Sequence, residues 1–302
     1  MCIRDSVDGD DQPDSKKVLF RTPGRSQHDH ALHAFVIGPG GRLYFNHGNT
    51  TTGIANANDE ILTDTTGRRL VNDGNPFRQG LAYRCNLDGS NLTVMGHNFR
   101  NPYELAVDSF GTVWQSDNDD DGNQGVRLNQ VLEQGNFGFR DEVTGATWNV
   151  PRVGAASDRR RRHWHQNDPG VVPNLLVTGA GSPTGITVYE GRLLPESIRN
   201  RLLHCDAGPG VCRAYTFFAE DGQPKLSGQD IVRGPDDHWF RPVDVAVAPD
   251  GSLFVADWHD PTVGGHRAGD VQSGRIYRIA PPGTRYHTPR HDFTTILSLI
   301  HI

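Results

Sequence analysis

The chain has 302 residues, 35% hydrophobic and 22% charged, and a formal net charge of −6, a length that supports one large core or two smaller ones. No apolar run reaches the roughly eighteen residues of a membrane-spanning helix, and mild acidity gives no reason to expect nucleic acid as a partner. The 35 Gly and 19 Pro predict many turns and few long helices.

Both termini stand apart from the rest. "MCIRDS" (residues 1–6) and "LSLIHI" (297–302) are similar to translations of one transposon-end DNA element read on opposite strands, so they are set aside from fold reasoning as a tag would be. A native apolar C-terminal strand is the competing reading of the second. The remaining chain divides into a propeller domain over 7–284, truncated at its start, and the beginning of a linker over 285–296, and it is expected to continue in both directions. Setting Cys2 aside leaves Cys85, Cys205 and Cys212. Cys205 and Cys212 flank the turn "DAGPGV", so they face each other across a hairpin and either pair under oxidising conditions or serve as small apolar strand residues. No C-x-x-C-H or C-x-x-C signature is present.

In chain order, the first strand signal follows "HDHALHAFVIGPGG", which sets His28, His30 and His33 before and within an apolar run. An apolar pair, a Gly/Pro/Asp turn and a short strand with a polar end then recur as "FVIGPGGRLYFNHG" around Leu43, "LAVDSFGTVWQSD" around Val113 and "VAVAPDGSLFVAD" around Leu253. These lie 70 and then 140 residues apart, so a weaker copy is expected near "GITVYEGRLLPESIRNRLLHCD" from Gly185. The polar segment from Thr50 to Phe77 and the irregular region from Asp141 to Pro173 read as insertions. Short alternating strands repeating as units predict an all-β fold, a β-propeller with about four or five blades present and long loops on one face; a sandwich is the second choice because it rarely repeats a signature.

The acidic turn "WQSDNDDDGNQG" carries the sharpest chemistry. Asp117, Asp119 and Asp121 alternate before Gly122, a spacing that lets carboxylates converge on one hard cation such as Ca²⁺. An EF-hand is excluded because its twelfth position is Leu128 and a strand leads in; a solvated acidic turn is the alternative. The three histidines match no zinc pattern, and one of them acting as general base competes with surface or hydrogen-bonded roles. Arg100 and Asn101 precede another inner strand, where a cation polarises a carbonyl or holds a carboxylate, or where Arg100 makes a structural ion pair. The last stretch offers Arg241, Asp244, Asp257, His259, Asp260 and His266 at strand ends, with Asp244 expected to hydrogen-bond within the core between blades. The run Arg159 to Arg162 reads as a solvated loop face, with anion binding as the alternative.

With those residues assembled, the chain resembles the propeller domain of a bacterial family of membrane-bound dehydrogenases, distantly similar to soluble quinoprotein glucose and sorbosone dehydrogenases. The resemblance spans nearly all of residues 7–290 and rests on "LHAFVIGPGGRLYFNHG", "RNPYELAVDSFGTVWQSDNDDDGNQGVRLNQVLEQGNFGFRD", "HWHQNDPGVVPNLLVTGAGSPTGI" and "FRPVDVAVAPDGSLFVADWHDPTVGGH". It implies a six-bladed ring in the full protein, pyrroloquinoline quinone and Ca²⁺ as cofactors, and a sugar or other alcohol as substrate. It assigns catalysis to His30 and Arg100, and cofactor binding to Asn101, Arg241 and His33. A haem c domain or other electron acceptor outside this chain and an extracytoplasmic location are implied with it. Where those enzymes carry a Glu-His-Gly-Pro type loop, this chain has "SDNDDDGN". A tricarboxylate quinone beside these aspartates then needs a divalent ion, since two unit charges 4 Å apart interact by about 4 kcal/mol at an effective dielectric of 20. Two other functions fit the same residues: a metal-dependent lactone hydrolase, and a non-catalytic propeller that binds a glycan or protein.

Overall fold

A computed structural model describes residues 2–5, 15–23, 27–179, 181–220, 223–234, 238–264 and 272–286. His266 and the segment "LSLIHI" lie outside the described residues. Strand β1 (Cys2–Asp5) pairs antiparallel with β2 (Ser15–Val18), apart from the main sheets.

Four antiparallel sheets follow one another along the chain. The first blade runs through β3 (Leu32–Ile37), β4 (Leu43–His47), β5 (Gly80–Cys85) and β6 (Thr93–Phe99). The second comprises β7 (Leu105–Val107), β8 (Val113–Asp117) and β9 (Val126–Val131). The two-residue β10 (Gly135–Asn136) then returns to lie parallel to β6, and β11 (Leu176–Gly179) closes the second blade outside β9. The third blade is β12 (Pro183–Tyr189), β13 (Arg201–Asp206), β14 (Val211–Glu220) and β15 (Gln223–Arg233); the fourth is β16 (Pro242–Val247), β17 (Leu253–Asp257) and β18 (Arg275–Ile279). The fold is the all-β propeller expected. Among the described residues no helix is long and apolar enough to cross a membrane.

Local sequence accounts for the hairpins. In the second and fourth blades an Asp-x-x-Gly or Pro-Asp-Gly turn joins the first two strands, with Gly111 at φ +85° and Gly251 at φ +83°, where a side chain would be strained. Asp108 Oδ1 accepts the N–H groups of Phe110 and Thr112 at 3.0 and 2.8 Å, and Asp250 Oδ1 accepts that of Ser252 at 2.9 Å, the Asx hydrogen bonding that favours such turns. The third blade lacks this turn, and its longer connection breaks the even spacing. The second strands begin at Leu43, Val113, Arg201 and Leu253, so the intervals are 70, 88 and 52 residues rather than equal.

The core lies between blades as well as within them. Met95 and Phe99 of the first blade pack with Leu105, Val113 and Val131 of the second; Trp114 and Leu128 of the second pack with Ile186, Leu202 and Tyr215 of the third; Leu203 and Cys205 of the third pack with Val245 and Val255 of the fourth. The second and third blades thus bury both faces, which explains their largely apolar strands, whereas the fourth leaves residues such as Val247 and Ile276 exposed. The segment from Thr50 to Phe77 forms only isolated bridges, as an insertion should, yet it contributes Ile54, Leu70 and Phe77 to the core of the first blade. Its polar composition hid that role. Cys205 and Cys212 are register partners across the β13–β14 hairpin, both buried and both free thiols. Asp244, expected in the core, is instead exposed on β16, although its backbone abuts Gly185 of β12, where a Cβ would stand 2.5 Å from the Asp244 Cα.

Candidate functional site

Every second strand ends on a buried polar residue: His47 and Asp117 at 0% exposure, Asp206 at 1% and Asp257 at 4%. The three carboxylates grip the backbone that leads into the inner strand of their own blade. Asp117 accepts the N–H of Asn101 at 2.8 Å and that of Arg100 at 3.2 Å; Asp206 accepts Ser182 N–H at 2.6 Å; Asp257 accepts Arg241 N–H at 2.8 Å. The residue after each strand end donates back, Gly48 to the Ala31 carbonyl, Asn118 to Asn101, Ala207 to Ser182 and Trp258 to Arg241, at 3.2, 3.2, 2.9 and 2.9 Å. This shared register makes Ala31, Asn101, Ser182 and Arg241 equivalent positions on four blades, with His30 and Arg100 each one residue earlier. The sequence-predicted residues His30, Arg100, Asn101 and Arg241 therefore belong to one rim.

His30 is 8% exposed. Its Nδ1 lies 2.6 Å from Asn49 Oδ1, and an amide oxygen only accepts, so the proton resides on Nδ1 and the lone pair on Nε2. Burial lowers the pKa of this imidazole against the opposing Asn49 bond, and Arg100 pushes it the same way, so it is neutral near pH 7. Asn49 N–H donates to the Arg100 carbonyl at 2.7 Å, which ties the first blade to the second. Gly48 closes that junction: a Cβ there would stand 2.8 Å from the His30 carbonyl oxygen and 2.9 Å from Asn101 Oδ1. Asn101 Oδ1 is buried with no hydrogen-bond partner. His33, deeper on β3, packs its ring 5.3 Å from that of Tyr103, and its Nε2 is likewise buried and unpartnered.

The acidic turn separates into unlike parts. Asp117 faces Arg127, its cross-strand partner, with a 2.8 Å ion pair in which both side chains are fully buried. Arg127 also donates to the Phe137 carbonyl at 2.7 Å and to Asn174 Oδ1 at 2.9 Å, and its guanidinium stacks 3.5 Å from the Trp164 ring centroid. Asp117 is thus occupied by protein donors and does not converge with the other two, a correction to the three-aspartate cation site. Among the described residues no group of three or more His, Cys, Asp or Glu side chains is set to hold a metal. Asp119 and Asp121 remain together. Asp119 Oδ2 accepts Gly125 N–H, Asp121 Oδ1 accepts Gln124 and Gly125 N–H at 2.9 and 3.1 Å, and Asp119 Oδ1 and Asp121 Oδ2 are buried without partners. Burial, and then the neighbouring Asp121, raises Asp119 to about 7.

Asp120, unremarked in the sequence, is the hub of the turn. Burial opposes its ionisation, but the His163 ring, the Trp148 indole and Arg100 hold it at about 2. His163 Nε2 is 2.7 Å from Asp120 Oδ1, Trp148 Nε1 donates to it at 2.8 Å, and Arg100 Nε is 3.8 Å from Oδ2. Arg100 Nη1 also reaches the Asn118 carbonyl at 3.4 Å, so its guanidinium leans on the acidic turn. The insertion 141–173 is thereby folded over the rim. Arg127 was findable from "VRLNQV", a lone cation in an apolar strand opposite an acidic strand end; His163 and Trp148 gave no such signal because a long loop carries them in.

On the fourth blade Arg241 lines a cavity of about 400 Å³ with Gly208, Gly210, Trp239 and Phe240. Its Nε is buried and unpartnered. On the second blade, Glu104 just before β7 accepts Ile186 N–H at 2.8 Å; burial, and then Asp244 of the fourth blade, raises its carboxyl to about 8.

Three solved structures are similar to the chain. An oxidoreductase described as a glucose dehydrogenase from Thermus thermophilus is 21% identical, with 85% of this chain and 68% of that chain covered and a TM-score of 0.50. A glucose dehydrogenase is 18% identical over 90% and 70% at 0.57, and another is 16% identical over 83% of each at 0.50. At these identities the likeness establishes the propeller fold. No curated protein matches the chain. A family model, domain of unknown function DUF7133, matches residues 1–282, and the chain belongs to that family.

Proposed function

We propose that the chain is the propeller of a quinone-dependent dehydrogenase that oxidises a sugar or other alcohol outside the cytoplasm. The observation that carries this reading is His30, a buried neutral imidazole with Nδ1 held by Asn49 and Nε2 left as acceptor. His30 Nε2 takes the substrate hydroxyl proton as general base. Asn101 Oδ1, buried and unpartnered beside His30, orients a donor on the ligand, and His33 supports the inner face of the site. Arg100 supplies positive charge at the rim. Arg241, with its unpartnered Nε in a roomy cavity beside Trp239, fits a planar acidic cofactor. Pyrroloquinoline quinone, when bound, supplies the acceptor for the hydride that leaves the same substrate carbon.

The cation part of the reading rests on Asp119 and Asp121. Two buried carboxylates in contact must share a proton or bind a cation, and their unpartnered oxygens fit Ca²⁺ as two of its oxygen ligands, the others coming from cofactor or water. The deciding experiment is reconstitution of the full chain with Ca²⁺ and pyrroloquinoline quinone, followed by dye reduction across a panel of sugars and alcohols. Dye reduction that His30→Gln lowers by about 10²–10⁴ is the expected result. Cofactor-loaded protein silent across the panel removes the dehydrogenase, and acid release from lactones without an acceptor assigns the rim to hydrolysis.

A further inference from the structure

The insertion that covers the acidic turn builds a second cavity whose chemistry the rim does not use. About 350 Å³ in volume, it is lined by Trp148, Asn149, Val150, Pro151, Arg152 and Arg162, among others. Residues 148–162, "WNVPRVGAASDRRRR", carry five arginines and one aspartate, a local charge of +4 in a chain of net −6. Asp158 caps helix α1 (Arg159–His163) through Arg161 N–H and pairs with Arg160 at 3.2 Å. Arg161 turns to Asn167 at 3.2 Å. Arg162 lines the cavity and gives Nη1 to the Ala156 carbonyl at 3.4 Å, and Arg159 stands over the lining residue Trp148, the guanidinium groups of Arg159 and Arg162 lying 5.0 and 5.9 Å from its ring centroid. Arg152 gives Nη1 to Asp168, while its Nε and Nη2 are buried with no hydrogen-bond partner.

We infer that this cavity receives the carboxylate or sulfate group of an acidic saccharide. Buried guanidinium N–H groups without acceptors are costly, and an oxoanion satisfies them with charge-assisted, bidentate geometry. Contact with the indole keeps Arg159 and Arg162 in place beforehand. A free oxoanion fills only a small part of the space, whereas cavities of this size hold small organic ligands. Trp148 links the cavity to the rim, since its indole bonds Asp120 and Asp120 faces Arg100. The saccharide part of the inference rests on the dehydrogenase reading; the anion part rests on the arginines alone.

Calorimetric titration of the full chain with a uronate-bearing trisaccharide, a sulfated one, the neutral trisaccharide of the same backbone, inorganic sulfate and a polyphosphate of matching charge tests it. At low salt the acidic trisaccharides bind at least tenfold more tightly than the neutral one, and Arg152→Gln and Arg159→Gln each remove most of that preference. Arg159 is exposed, so its variant carries the test should Arg152→Gln fail to fold, which thermal melts report. Equal affinity for charged and neutral sugars, sulfate or polyphosphate binding as tightly as the acidic trisaccharides, or a preference unchanged in the variants overturns the inference. Dye reduction is scored separately. Charge-selective binding without turnover keeps the cavity and removes the dehydrogenase, while turnover without charge preference does the reverse.

Discussion

The second and fourth blades end their second strands alike, on Asp117 and Asp257, and both aspartates hold the N–H of the residue that opens the inner strand. Behind them the blades differ. Asp117 meets the fully buried Arg127, which stacks on Trp164 of the insertion; Asp257 has Arg275 as its register partner on the strand beside it, and His259 at 3.7 Å. The turn after Asp117 curls into the Asp119–Asp121 pair, whereas Trp258 follows Asp257 and stays half exposed at 52%. The strand-end aspartate is therefore a common scaffold group, and the chemistry specific to the second blade begins two residues later. A D-x-D-x-D spacing merged one carboxylate paired with a buried arginine with two that keep unpartnered oxygens.

The largest expected effect tests that division. Asp117→Ala or Arg127→Ala strands a buried charge and is expected to cost about 3–5 kcal/mol in urea unfolding. Asp257→Ala loses backbone hydrogen bonds without leaving a buried guanidinium and should cost about 1–3 kcal/mol. Equal losses would erase the distinction between the blades.

The electrostatic link between the same two blades ranks second. Glu104 of the second blade titrates at about 8 in the folded chain against an ordinary value of 4.5, so the folded state holds a proton that the unfolded state releases. Its contribution is full below about pH 4.5 and is lost as pH rises toward 8. A gap of that size amounts to at most a few kcal/mol. Glu104→Gln should flatten the fall in melting temperature over that range, and Asp244→Asn, on the fourth blade, should lower the upper edge of the window.

Calcium sharpens the comparison further. Saturating Ca²⁺ at a hundredfold excess over its dissociation constant adds about 2.7 kcal/mol, visible as a raised melting temperature. Asp121→Asn is expected to abolish the rise and Asp257→Asn to leave it intact; a rise that survives Asp121→Asn places the ion elsewhere.

The smallest effect concerns the residue after the strand end, Gly48, Asn118, Ala207 or Trp258 in the four blades. Gly48→Ala forces its methyl against the His30 backbone and Asn101, at about 1–3 kcal/mol, and should depress dye reduction more than stability. An enlarged side chain at Ala207 has no such neighbour in His30 and serves as the control.

Much of the architecture was legible in the chain. Alternating strands, turn glycines and a recurring polar strand end identify a propeller because those are local requirements, met within a dozen residues at a time. His30, Arg100, Asn101 and Arg241 were singled out by the resemblance to quinoprotein sugar dehydrogenases, and their shared place before an inner strand is what sets them on one rim. The third blade's uneven spacing, the core residues of the Thr50–Phe77 segment and the exposure of Asp244 were not, since they depend on how an insertion or neighbouring strand packs.

The amino-acid sequence by itself determined that this protein is built of repeated β units with an acidic turn and a cluster of polar strand ends, since periodicity and turn chemistry act along the chain. Only the tertiary structure decided which carboxylates are available. Asp117 is neutralised by Arg127 across a hairpin, Asp120 is hydrogen-bonded by His163 and Trp148 from a loop more than twenty residues away, and two of the four arginines of α1, Arg159 and Arg162, are brought over the Trp148 indole. Electrostatic partnership is a matter of distance in space, and spacing along a chain does not encode it.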